Sequence, residues 1–180
     1  MRQLDLYALV RTALVAGLAA RALTGVAVRA LYQPQTIGTP SAPQVTIQAI
    51  GDRRYGALKR LDLPVTDPLT HVEQQWWETT LQVGSTARRD PNDPLFLTLP
   101  TAMDICKAAS DILQSDWGLA ALAVQRVRPL RVTAIRNVQW VNESDQYEAM
   151  PNFDLTLVYP QTIETTTPPV VTFEPVTGRV

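Results

Sequence analysis

Few residues of this chain have the types and spacing that catalysis requires. General acid–base catalysis at neutral pH usually uses histidine, and a nucleophile needs an activating base beside it. The sequence contains one histidine, His71, in the polar first half of a predicted strand, and one cysteine, Cys106, in an apolar helical stripe. The first position is typical of a surface or subunit-contact residue, and the second of a small hydrophobic side chain. The sequence therefore predicts no catalytic residue, with a small enzyme that uses His71 as the alternative.

The sequence predicts no metal or cofactor site either. Asp90 and Asp93 are close together, but each has a proline beside it, so turn formation explains both. Gly51 and Gly56 flank two arginines, yet the glycine, lysine and hydroxyl spacing of a phosphate-binding loop is missing from the sequence. We therefore expect no bound cofactor.

The segment around Arg53, Arg54 and Tyr55 is predicted to make contacts between subunits or rings. It follows an alternating strand that starts at Gln44, and it opens a polar stretch, Asp52 to Pro68, that reads as an extended loop or a hairpin arm. The arginines are either solvated charges or partners of acidic groups on a neighbour, since the guanidinium fork binds carboxylates through two hydrogen bonds.

The tandem Trp76-Trp77 lies in a predicted strand from Leu69 to Val83. Adjacent side chains of a strand point to opposite faces, so Trp77 shares its face with Leu81 and Val83. Trp76 is then a candidate for a contact with a helix or another subunit. The alternative is that both tryptophans are buried within one two-sided layer.

Composition limits the classes of partner. Charged residues make up 18% of the chain, below the roughly 25% of typical soluble domains, so we expect neighbouring subunits to cover part of the surface. The formal net charge of −1 argues against a dedicated nucleic-acid binder, and any contact with DNA should be passive. The single cysteine cannot form an intramolecular disulfide, which suits a reducing compartment.

The periodicity of apolar residues predicts an α+β fold: a mainly antiparallel sheet with helices packed on one face, plus an extended loop and a C-terminal arm. The first helix, about Leu4 to Leu23, is apolar nearly all round, so a neighbouring subunit should cover part of it. Its uninterrupted apolar run is too short to span a bilayer. Further elements are a helix after Thr98 or Thr101, a short helix capped by Ser115, and strands at 130–141 and 152–159.

Residues 1–160 are predicted to form one domain, and residues 161–180 an extended arm. Pro168 and Pro169 deny the chain two backbone donors and favour extended geometry. The arm should leave its own domain and lie on an adjacent subunit or ring. Its predicted contact residues are Val170, Val171 and Phe173.

Five segments, taken in their order, resemble the neck or tail terminator proteins of long-tailed bacteriophages, the gateway-type proteins that join head to tail. They are Gly25-Val26, Thr39 to Pro43, Ile50 to Gly56, Ile112 to Asp116 and Phe153 to Leu157. None of them is a catalytic motif. The resemblance covers about Leu6 to Tyr159.

The resemblance implies a non-enzymatic virion protein that forms a ring, expected to be sixfold, at the phage neck. Such a ring ends the tail tube and joins it to the head-side connector, and the genome passes through its lumen. The implied partners are further copies of the chain, connector or collar proteins above, and the tail tube below, with the sheath in a contractile tail. No membrane is involved, and assembly takes place in the bacterial cytoplasm. Another virion element, such as a head-completion or tail tube protein, is the alternative.

Overall fold

The computed structural model describes residues 2–31, 42–63, 69–87, 94, 98–141 and 147–167. It contains three helices and six strands in these ranges. In chain order they are α1 (Gln3–Ala20), β1 (Ala27–Leu31), β2 (Gln44–Leu63), β3 (Leu69–Thr86), α2 (Ala102–Gln114), α3 (Asp116–Ala123), β4 (Arg128–Val132), β5 (Arg136–Val141) and β6 (Tyr147–Thr167).

The six strands form one sheet in the order β1-β2-β3-β6-β4, and β5 also pairs with β6. Only the pair of β1 and β2 is parallel; the other four pairings are antiparallel. Helix α2 packs on β2, β3 and β6, while α1 packs on α2, α3 and β1. The predicted α+β class, with helices on one face of a mainly antiparallel sheet, is confirmed.

The core lies between the helices and one face of the sheet. Alternate residues of the three central strands are fully buried there: Val45, Ile47, Leu81, Val83, Phe153, Leu155 and Leu157. Helix α2 contributes an apolar stripe that contains Ile105, Cys106 and Ile112. Gly17 of α1 touches this stripe so closely that a Cβ atom there would lie 2.5 Å from Cγ2 of Ile112. The missing side chain at position 17 lets the two helices approach.

Helix α1 is long and apolar enough to cross a membrane by length and composition alone. One side of it, however, is buried in the core through Leu6, Val10, Leu14 and Leu18. The opposite side leaves Leu4 and Val15 exposed. This helix is therefore a structural element of the domain, with one uncovered apolar side.

Local hydrogen bonds explain where α2 and α3 begin. The Thr101 hydroxyl accepts a hydrogen bond from the backbone N–H of Asp104, and the Asp104 carboxylate accepts one from the backbone N–H of Thr101. The Ser115 hydroxyl accepts from the backbone N–H of Gly118 and starts α3. Thr101 and Ser115 are thus the caps that the sequence indicates.

The single strand predicted at 130–141 is wrong, because this segment contributes to two strands, β4 and β5. Pro129 does not precede the strand but lies inside β4, opposite Leu157 and next to a register shift. An edge strand tolerates a proline because the missing N–H can face outward. Between the two strands, Thr133 donates its backbone N–H to the Asp154 carbonyl and accepts from the Asp154 N–H through its hydroxyl.

The strand predicted at 152–159 is too short, whereas the domain boundary at Gln161 stays a prediction. Strand β6 continues to Thr167 and pairs with β3 along the way, from Trp77 opposite Tyr159 to Leu69 opposite Thr167. The threonines of this segment suit a strand as well as they suit a free extended segment, and only the pairing with β3 distinguishes the two. The remaining part of the predicted arm, including Val170, Val171 and Phe173, lies outside the described residues.

Candidate functional site

Three strands continue beyond the helices and form a projection, which we call the β-arm. It consists of β2 from Gly51 to Leu63, β3 from Leu69 to Trp76 and β6 from Pro160 to Thr167; β3 pairs with β6 in continuous register, and with β2 except for a shift between Tyr55 and Lys59. The core ends at the preceding row, where Trp77 and Tyr159 pair. No residue from Gly51 to Leu61 is buried. Of the two interpretations of Asp52 to Pro68, the hairpin arm is confirmed as far as Leu63, and residues 64–68 lie outside the described part.

The Tyr7 hydroxyl holds the base of the β-arm. The backbone N–H of Ala27 donates to the carbonyl of Pro43 and sets the pattern of the parallel ladder between β1 and β2. Continued to the end of β1, this pattern would place a hydrogen bond from Ala49 N–H to Leu31 C=O. The hydroxyl stands between these groups: it accepts from Ala49 N–H at 2.7 Å and donates to Leu31 C=O at 3.4 Å. A bulge follows directly, between Ala49 and Gly51. Helix α1 therefore fixes the point where β2 leaves the core.

A second irregularity lies within the β-arm, between Tyr55 and Lys59 of β2. Gly56 adopts a φ of +72° there, a conformation that residues with a side chain rarely adopt. The Gln75 side-chain amide of β3 donates to the carbonyls of Tyr55 and Gly56, which the irregular pairing leaves available. The β-arm is thus a bonded sheet rather than an open loop.

Arg53 pairs with an acidic residue of its own chain. Its NH2 atom lies 2.7 Å from Oε1 and 2.8 Å from Oε2 of Glu78, directly across from it in register. The Glu78 side chain is 7% exposed and that of Arg53 is 72% exposed. The hydrogen bond to Glu78, assisted by its charge, raises the pKa of Arg53. Of the two expectations for this arginine, the structure shows neither a free solvated charge nor a neighbour's carboxylate, and its place in a subunit contact stays a prediction.

The two tryptophans lie on opposite faces of the sheet, and Arg54 shares the face of Trp77. The guanidinium carbon of Arg54 lies 5.9 Å from the ring centre of Trp77, a cation–π contact on the helix-bearing face. Trp76 lies on the other face, where it pairs with Tyr55, and both are exposed, at 36% and 45%. The interpretation that buries both tryptophans in one layer is wrong. Trp76 and Tyr55 remain candidates for contacts with another subunit or ring.

Trp76 and Tyr55 line an apolar groove of about 370 Å³ on this second face. Strand β4 supplies its other wall through Arg128, Pro129 and Leu130, and Val158 of β6 completes it. The sequence did not predict the groove, because in the sequence Pro129 indicates a break before a strand that begins at Leu130. Four strands that are distant in sequence must come together to form it.

The sheet edge next to this groove is open among the described residues. Strand β5 pairs with β6 between Tyr147 and Asn152, and β4 pairs with it only as far as Val158. No described strand pairs with that side of β6 from Pro160 to Thr167. The opposite edge of the sheet differs, because Arg11 donates from Nε to the outward carbonyl of Val28 in β1. The two edges of the sheet are therefore not equivalent as docking sites.

The two residues considered for catalysis lie in different parts of the fold, Cys106 in the core and His71 in the β-arm. Cys106 is 1% exposed, and burial raises the pKa of its thiol to about 11, which keeps it protonated at neutral pH. His71 lies in the β-arm, opposite Asp62 in β2 and Thr165 in β6. No group of three metal-ligating side chains occurs within the residues that the structure describes. Asp90 and Asp93 lie outside them.

Comparison with known proteins shows similarity to a protein family and to solved structures. A family model described as E217 gateway protein gp29 matches residues 5–169. Among solved structures, the chain is similar to the sheath/tube terminator, in the extended state, of an extracellular contractile injection system, PVC, with a TM-score of 0.51 and 12% sequence identity. The match covers 100% of this chain and 64% of the length of that chain. At this identity it shows a shared fold. No curated protein matches the chain.

Proposed function

Because the chain belongs to the E217 gateway protein gp29 family, we propose that it is a structural protein of the phage neck. It forms a closed ring, expected to contain six copies, that ends the tail tube and joins it to the head-side connector. The genome passes through the lumen of the ring. The chain carries out no catalysis in this role.

The observation that carries this proposal is the β-arm together with the family. The β-arm projects from the core with aromatic and charged side chains exposed, so these side chains have few contacts with the rest of their own domain. An open strand edge can pair with a strand of another chain, so proteins usually cover or shorten such edges. In a ring of identical copies, the projection of one copy meets the body of the next, and the interface closes on itself.

The uncovered side of α1 supports the same proposal. Leu4 and Val15 of α1 are exposed, and so are Trp117 of α3 and Val124 just after it. Because α1 and α3 pack against each other, these exposed apolar side chains are available to a neighbouring copy. We assign this surface to the ring interface and the β-arm to contacts between copies or between rings.

The partners follow from the position in the particle. Connector or collar proteins lie above the ring, and the tail tube lies below, with the sheath if the tail contracts. The protein is located in the virion and is assembled in the bacterial cytoplasm. Contact with DNA is passive, in keeping with the net charge of −1.

Copy number in the particle tests the proposal. Cryo-EM of particles from the phage that encodes this chain is expected to show a ring of this protein between tail tube and connector. A single copy per particle would refute the ring. Separated heads and tails provide a further test: the protein is expected on tails that have not met a head, whereas its presence on tail-free heads alone would identify a head-completion protein instead.

A further inference from the structure

We infer that the open edge of β6 and the apolar groove beside it receive residues 170–173 of a neighbouring copy of this chain. The inference rests on the proposed ring and names the contact that links its copies. It joins two features of the β-arm that the ring proposal leaves unassigned, the unpaired strand edge and the groove at its root.

The edge from Pro160 to Thr167 is suited to a short added strand. Among the described residues, β4 ends its pairing at Val158, so an added strand would continue the line of β4 along β6. Pairing an extended segment with such an edge supplies main-chain hydrogen bonds, and pockets for alternate side chains supply specificity. The groove lies at the beginning of β4 and supplies such a pocket.

The same chain is poorly placed to fill its own edge. Strand β6 reaches the tip of the β-arm at Thr167, and Pro168 and Pro169 follow. Folding back beside β6 through these two residues would require a tight hairpin, whose favoured turns need a positive φ at the first position. Proline fixes φ near −65°, and the residue before a proline favours extended geometry. Residues 170–173 are therefore better suited to pair with β6 of another copy than with their own.

The pattern of residues 170–173 matches the groove. Side chains two residues apart share a face of a strand, so Val171 and Phe173 point to one side and Val170 and Thr172 to the other. The groove is lined mainly by apolar and aromatic groups, including Trp76 and Val158. We place Val171 and Phe173 on the groove side, because the other side would present Thr172 to it.

The connection also limits the distance between copies. Two extended residues span about 7 Å, so the accepting edge must lie within roughly 10 Å of the tip of the donating β-arm. The inference thus predicts that the β-arms of adjacent copies lie side by side in the ring.

Cysteine cross-linking between two differently marked chains tests the inference. One chain carries Thr162→Cys on the groove face of β6, the other carries Phe173→Cys, and both have Cys106→Ala. Particles assembled from the mixture are treated with a short thiol cross-linker, and a heterodimer band is expected. Thr162→Cys should cross-link more strongly than Ile163→Cys, because Ile163 lies on the opposite face of β6.

Matched variants test whether cross-linking depends on the groove or only on the two chains being close together. In the chain that carries Val171→Cys in place of Phe173→Cys, Phe173→Asp is expected to lower cross-linking to Thr162→Cys at least tenfold, because aspartate removes the aromatic ring that packs on the apolar lining of the groove. Thr172→Asp, on the other face, is expected to change it less than twofold. Arg29→Cys on β1 serves as the control for the blocked edge and should give no heterodimer.

The outcomes distinguish the inference from the ring proposal. Rings of normal copy number without the heterodimer would overturn the inference and leave the ring intact. Equal effects of Phe173→Asp and Thr172→Asp would also overturn it, because no face would then be selected. If particles contain no ring, the proposed function fails, and the inference fails with it.

Discussion

Replacing Tyr7 with phenylalanine tests whether α1 fixes the base of the β-arm. The change removes one oxygen from a side chain that is 2% exposed and leaves its volume almost unchanged. It deprives Ala49 N–H of its acceptor at 2.7 Å and Leu31 C=O of its donor. An unsatisfied, partly buried polar group costs roughly 1–3 kcal/mol. Since the site is not fully enclosed, we expect a loss of about 1–2 kcal/mol in the free energy of unfolding.

Urea unfolding and calorimetry measure this loss. For a domain of this size, about 1 kcal/mol lowers Tm by roughly 2–4 °C, so the expected decrease is about 2–8 °C. Amide hydrogen exchange should accelerate first at Ala49 and the adjoining bulge. Tyr55→Phe is the matched control, because Tyr55 is 45% exposed, and its effect should stay within about 0.5 kcal/mol. If Tyr7→Phe leaves the free energy of unfolding unchanged, Ala49 N–H bonds the Leu31 carbonyl directly once the hydroxyl is gone. The hydroxyl would then not be required.

Three further predictions concern the β-arm, the C-terminal segment and the core. Replacing Arg53 and Arg54 with glutamate should block tail-to-head joining, counted by electron microscopy. Because Arg53→Glu also places a like charge against Glu78, the single variant Arg54→Glu is the cleaner test. Normal joining by the double variant and by Arg54→Glu would refute the contact. A chain that stops after Thr167 should fold, by circular dichroism, but dock poorly onto tails; unaltered docking would contradict this. Because burial raises the pKa of Cys106 to about 11, above the 9.0 of the free thiol, the folded state keeps its proton longer. Stability should therefore fall as pH rises from 9 to 11, and the fall should be smaller in Cys106→Ala.

Local sequence determined the elements whose pattern repeats within one segment. Leu6, Val10 and Leu14 recur at helical spacing and form the buried side of α1. Thr101 and Ser115 indicate the starts of α2 and α3 because each cap bonds within a few residues. The family resemblance was also available from sequence and is confirmed by the match to residues 5–169.

The tertiary structure alone decided what the β-arm is and what it presents. Ala49 to Leu63 contains two glycines, several charges and two irregularities, so its alternation is hidden until it pairs with β3. Arg53 meets Glu78 across strands, 25 residues away in the chain. The groove needs β2, β3, β4 and β6 together, and among the described residues the edge of β6 is open beyond Val158, where the pairing with β4 ends. Periodicity reports how one element is buried, whereas pairing, edges and grooves depend on partners that lie far away in sequence.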